Sequence, residues 1–146
     1  MPDEGVRPTG TIIAFDFGYR RIGVAVGQTL TGSANVLTVV PVATKPDWQA
    51  IAAIIHEWKP AALLVGLPLA EDGGETDMSK GARRFGRQLE SRFGVPVLFE
   101  DERLTSFSAE QRFVNARAKS GMRKKDAALK DAIAAQIILE SWLLAK

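Results

Sequence analysis

The sequence predicts an α/β fold: one mixed five-stranded sheet with helices on both faces, in the order β-β-β-α-β-α-β-α-α. Three observations predict it. Strand-like segments fill the first forty residues; short apolar runs then alternate with helical periodicity; and beyond residue 99 only helical patterns remain.

Residues 11–17 (TIIAFDF) are β-branched and apolar, and 22–27 (IGVAVG) resume the pattern after a Gly-Tyr-Arg-Arg turn, which predicts an antiparallel hairpin. A third strand over 36–40 ends at Pro41, so the first three strands form a meander. Asp47 caps a helix carrying Trp48, Ile51, Ile54, Ile55 and Trp58, and Pro60 follows its end. The run 61–65 (AALLV) lacks alternation, as in a strand buried on both faces, and Gly66 and Pro68 are read as its end. A Gly- and acid-rich loop over 71–77 leads to an amphipathic helix over 79–93 that closes at Gly94. Residues 95–99 give the fifth strand, with Pro96 suiting a first or edge position. Thr105 caps a helix of about a dozen residues. A basic loop follows over 118–125, and Asp126 caps a last helix running to about Leu144. The crossovers make the last two strands parallel to the first.

The chain has 146 residues, 46% of them hydrophobic and 25% charged, enough for a core and ordinary for a globular protein. Residues 1–146 are expected to form a single domain, with 1–9 an N-terminal extension before the first strand. With no cysteine, disulfides, thiolate metal sites and cysteine nucleophiles are excluded. The acidic start Met-Pro-Asp-Glu-Gly lacks an apolar signal region, and the longest apolar stretch, 61–70, is far too short for a membrane span, so a cytoplasmic protein is expected. The net charge is +2, but residues 103–130 carry +6, leaving −4 for the rest. Such a segment suits either a solvated helical face or a polyanion partner.

Three acidic positions are unusual for their elements. Asp16 ends an apolar strand and shares a face with Ile12 and Ala14. Glu100, Asp101 and Glu102 follow the last strand, where alternation puts Glu100 and Glu102 on one side and Asp101 on the other. Asp131 lies among alanines at i±3 and i±4, so no local ion pair accounts for it, and it shares a face with Ala135, Ile138 and Trp142. Asp16 and Glu102 both fall at carboxyl ends of parallel strands, where sites form in open α/β sheets, and a helix packed on the sheet can bring Asp131 there. Converging carboxylates call for a cation, and oxygen donors suit Mg²⁺ or Mn²⁺. Carboxylates holding such ions suit phosphodiester hydrolysis, with the basic segment gripping the phosphate backbone.

The segments GTIIAFDFG (10–18), RIGVAVG (21–27), VGLPL (65–69), DERLTS (101–106) and KDAIAAQIILESWL (130–143), in that order and spacing, resemble the bacterial YqgF/RuvX family. That family has an RNase H-like fold and is assigned both to Holliday junction resolution and to maturation of the 5′ end of pre-16S rRNA. The resemblance covers nearly the whole chain after residue 9. It implies that Asp16, Glu102 and Asp131 are the catalytic metal carboxylates, with Asp101 the rival for the second place. It also implies that Gly18, Arg21 and Arg103 meet phosphate and that the turn at Gly66, Leu67 and Pro68 lines the cleft. Lys130 stands where the family often has an apolar residue.

Trp48, Trp58 and Trp142 read as core or core-edge residues, Phe107 and Phe113 as helix packing, and His56 as a surface residue. The function expected is a divalent-metal-dependent nuclease acting on structured RNA such as pre-16S rRNA. The alternatives are a Holliday junction resolvase on branched DNA and a non-catalytic RNA- or ribosome-binding protein. A sugar-kinase-like phosphotransferase ranks last, because such enzymes need two domains of this kind. A resolvase calls for a symmetric homodimer, whereas an RNA cutter can work as a monomer.

Overall fold

The computed structural model describes residues 7–102 and 127–145. The strands are β1 (Thr11–Asp16), β2 (Arg21–Gln28), β3 (Ser33–Pro41), β4 (Ala62–Leu67) and β5 (Val97–Asp101). The helices are α1 (Trp48–Trp58), α2 (Asp77–Phe93) and α3 (Ala127–Leu144). The sheet runs β3-β2-β1-β4-β5, with the first three strands antiparallel in a meander and β4 and β5 parallel to β1. This is the mixed five-stranded sheet that the sequence predicts. The expected helix from Thr105, the basic loop, the Asp126 cap, Arg103, Phe107, Phe113 and residues 1–6 lie outside the described residues.

Several strand ends differ from expectation. β4 does not stop before Gly66; Gly66 and Leu67 pair with Glu100 and Asp101, so both strands extend toward the acidic cluster. The backbone N–H of Glu102 donates to the Leu67 carbonyl at 3.1 Å, continuing the ladder one residue further. At the other end β5 begins at Val97 rather than at residue 95, since Pro96 has no N–H to give and contributes only its carbonyl, to Leu63 at 2.8 Å. β3 likewise starts earlier than residue 36, where Ser33 pairs with Gln28.

The pleat sorts side chains into two cores. Ile13 and Phe15 of β1 pack with Ile51 of α1 and with Phe85 and Leu89 of α2. Ile12 and Ala14 point the other way, against Ala135 and Ile138 of α3. Asp16 continues the second series, so its side chain belongs to the α3 side. Asp47 caps α1 by accepting from the Ala50 N–H, and Lys59 ends it in the left-handed region at φ 46°. α2 begins two residues before the expected start, because Thr76 and Ser79 cap it reciprocally: each side-chain oxygen accepts the other's backbone N–H, at 3.0 and 2.7 Å. Trp142 is buried and Trp48 and Trp58 are part-buried, while His56 is exposed. Among the described residues no helix is long and apolar enough to cross a membrane.

Candidate active site

Two glycines build the floor of the site. Asp16, the last residue of β1, pairs with Gly23 of β2. On its other flank the β1–β4 ladder ends with Phe15 opposite Val65, and Gly66 comes next. A Cβ at Gly23 would collide with the backbone carbonyl of Asp131, and one at Gly66 with the Glu102 carboxylate and the Ile138 side chain. The absence of side chains on either side of Asp16 therefore lets the α3 backbone settle on β2 and lets the Glu102 side chain lie over β4. Both are glycines inside strands, a known mark of close approach. Gly23 is the residue that sequence reasoning passed over.

Burial and neighbouring charge act on these carboxyls in the same direction. Burial pushes the Asp16 carboxyl well above the usual carboxylate range, and the charges of Glu102 and then Asp131 push it the same way. Burial first, and then the charge of Asp101, raise Glu102 to about 7. Asp131 is turned onto a cation: Arg21 Nε donates to its Oδ2 at 2.6 Å. Its partner thus comes from a residue 110 positions away, which agrees with the lack of a local one.

Register separates the adjacent acids. Glu100 accepts from the Ser141 hydroxyl at 2.8 Å and so faces α3. Glu102, two residues on, lies on that same side against Gly66, while Asp101 pairs with Leu67 in the ladder and is exposed. Gly18 has a structural reason of its own: a Cβ there would lie 2.6 Å from the Arg21 carbonyl, so the turn needs a glycine. Arg103 falls outside the described residues.

The donor set is all oxygen, negatively charged and mutually repelling, which suits a hard divalent cation in type and charge. As the side chains stand, no three acidic or histidine groups among the described residues are gathered around a common point. Arg21 on Asp131 occupies part of that role.

A mixed sheet in the order 3-2-1-4-5, helices on both faces and acids at the carboxyl edge of β1 and β5 define an RNase H-like protein. A solved structure described as Thermus thermophilus RuvC in complex with a Holliday junction substrate shares this fold. It matches with a TM-score of 0.50 and 18% identity over 92% of this chain and 96% of that one. Residues 10–145 match the family described as RuvX, Holliday junction resolvase. Among curated proteins, one from Xanthomonas euvesicatoria pv. vesicatoria (strain 85-10) is 46% identical over 99% of this chain and 95% of its own length. One from Xanthomonas axonopodis pv. citri (strain 306) is 45% identical over the same shares. Both carry the name "Putative pre-16S rRNA nuclease". The chain belongs to the RuvX family.

Proposed function

We propose that this protein is a divalent-metal-dependent nuclease that cuts structured RNA, in the processing of the 5′ end of pre-16S rRNA. The nuclease class rests on the family match and on relatives named for that activity. The observation that supports the metal-dependent reading is the placing of Asp16 at the end of β1, beside Gly23 and Gly66, with Glu102 lying over Gly66 and the Asp131 backbone resting on Gly23. These three side chains would hold Mg²⁺ or Mn²⁺, Asp131 exchanging Arg21 for the ion. Bound there, the ion supplies Lewis-acid charge for phosphodiester hydrolysis.

The chain's own groups divide the remaining work. Glu102, raised to about 7 by burial and by Asp101, would have to give up its proton to hold the ion, so metal binding should strengthen as pH rises through that value. Arg21 is 41% exposed, so its pairing with Asp131 adds under about 1 kcal/mol to stability. Its value lies in orienting Asp131 and, once released, in meeting a phosphate. Gly18 and Arg103 are further phosphate contacts in this reading. Residues 1–146 act as one domain in the cytoplasm; cutting a single RNA strand needs no second copy, so a monomer or a homodimer suits this substrate. The family description favours a second substrate, a four-way DNA junction, which would require a homodimer.

The test compares wild type with Asp16→Asn on a pre-rRNA 5′ fragment and on a four-way DNA junction, with Mg²⁺, with Mn²⁺ and with chelator. The expected result is metal-dependent cutting of the RNA, lost in a variant whose circular dichroism is unchanged. Cutting of the junction alone would transfer the assignment to the second substrate. Salt-sensitive binding without cutting of either would overturn the catalytic reading, and full activity in Asp16→Asn would overturn the site.

A further inference from the structure

The solvent face of α2 carries a run of cations. Lys80, Arg84 and Arg87 stand at i, i+4 and i+7, on one stripe of the helix, and all three are exposed. Like charges at this spacing destabilise a helix. The neighbouring Arg83 is neutralised by a two-point bond to Glu75, at 2.9 and 3.0 Å. Arg84 and Arg87, by contrast, make no ion pair among the described residues, although Glu90 lies three positions from Arg87. Together with Arg92, Gln88 and Ser91 they line an open groove of about 360 Å³.

Arg92 extends this surface. Its guanidinium lies over the Trp48 ring, 4.2 Å from the centroid, a cation–π contact that holds the side chain at this edge of the helix. It also lines an adjoining depression of about 580 Å³ that includes Lys45, Thr44 and Gln49. The acid at that rim, Asp47, is engaged in capping α1. From Lys80 to Arg92 the helix rises about 18 Å, the axial length of about five base pairs at 3.4 Å each.

The stripe starts beside the cleft. Thr76, which caps α2, donates its hydroxyl to the Pro68 carbonyl at 2.7 Å, just past β4, and the Tyr19 hydroxyl donates to the Asp77 carbonyl at 3.2 Å, just past β1. α2 packs on the sheet face opposite α3.

We propose that the exposed face of α2, through Lys80, Arg84, Arg87 and Arg92, binds the phosphate backbone of a nucleic-acid duplex that leads away from the cleft. The inference rests on the nuclease reading and adds to it a second backbone contact. Arginine suits the role because its fork meets phosphate oxygens in pairs.

The experiment uses the full chain in chelator, with fluorescence anisotropy on a labelled RNA duplex bearing a single-stranded 5′ extension, on the DNA duplex of the same sequence, and on the single strand alone. The double variants Arg84→Gln/Arg87→Gln and Arg84→Lys/Arg87→Lys are compared with wild type between 50 and 200 mM salt. Each lost phosphate contact reduces the slope of log K against log salt by about 0.9. The glutamine pair is expected to flatten the slope on duplex by about 2 and weaken binding at least tenfold, with little change on the single strand. The lysine pair should keep most of the slope. Preference between the RNA and DNA arms names the duplex. Unchanged duplex slope and affinity in the glutamine pair, with normal wild-type binding, would overturn the α2 surface and leave the nuclease reading intact. Absence of salt-dependent wild-type binding to every probe would overturn both. Equal melting temperatures of the variants and wild type would show that the loss is not one of folding.

Discussion

Replacing Gly23 by alanine tests whether the site depends on the close approach of α3 to β2. The new methyl would collide with the Asp131 carbonyl and lie 2.9 Å from the Ala132 nitrogen, where ordinary contact begins at 3.4 Å. Both obstacles are backbone, so no side chain can rotate away; α3 must retreat by about 1 Å or more, carrying Asp131 with it. Overpacking of this kind costs about 1–3 kcal/mol. For a chain of this size each kilocalorie lowers the melting temperature by about 3–4 °C, so a fall of about 3–12 °C is expected. Displacement of a reacting group by about 1 Å costs about 10²-fold in rate. Cleavage measured at 25 °C, where the variant remains folded, should show that loss. A Gly23→Ala protein with wild-type melting temperature and wild-type rate would refute the reasoning, because the helix would then not rest on that glycine.

Two further perturbations probe the electrostatics and the scaffold. Glu102 keeps its proton up to about 7 in the folded chain against an ordinary 4.5. The folded state thus binds more protons between those values, and stability falls as pH rises through the window, by up to about 3 kcal/mol. Asp16 is displaced in the same direction. Glu102→Gln should remove the Glu102 part of that slope: in urea titrations with chelator it gains up to about 3 kcal/mol over wild type at pH 8 and nothing near pH 4. Parallel pH profiles for the two proteins would contradict the burial of this carboxylate. Thr76→Ala should cost about 1 kcal/mol by removing the reciprocal cap of α2, read as a lowered urea midpoint with unchanged slope.

The sequence reveals what depends on local pattern and conceals what depends on the third dimension. The β-branched, apolar segments 11–17 and 22–27, and the apolar run after Pro60, suffice for the sheet and its parallel crossovers. Asp16 and Asp131 stand out because each contradicts its surroundings. Glycine and proline mislead at the strand ends, since Gly66 looks like punctuation but serves as bare floor beneath Glu102. The start of α2 is hidden because Ser79 takes the place of the acid usually found in a capping box. The Arg21–Asp131 pair and the Gly23 contact join residues more than a hundred positions apart, so no local window reports them. The α2 stripe escapes a count of net charge, since acids elsewhere cancel it.

The order in which the carboxylates occur along the chain has a consequence for biosynthesis. Asp16 ends β1 and Glu102 directly follows β5, while Asp131 rides on a helix that is made after all five strands. Until that helix emerges, the face bearing Ile12, Ala14 and Leu64 has no cover and the acid cluster lacks its third member. Contacts of such long sequence separation form late. Covering the hydrophobic face and bringing Asp131 beside Asp16 are then a single event. A chain shortened before that helix would leave Ile12, Ala14 and Leu64 bare and Asp16 without its neighbour across Gly23.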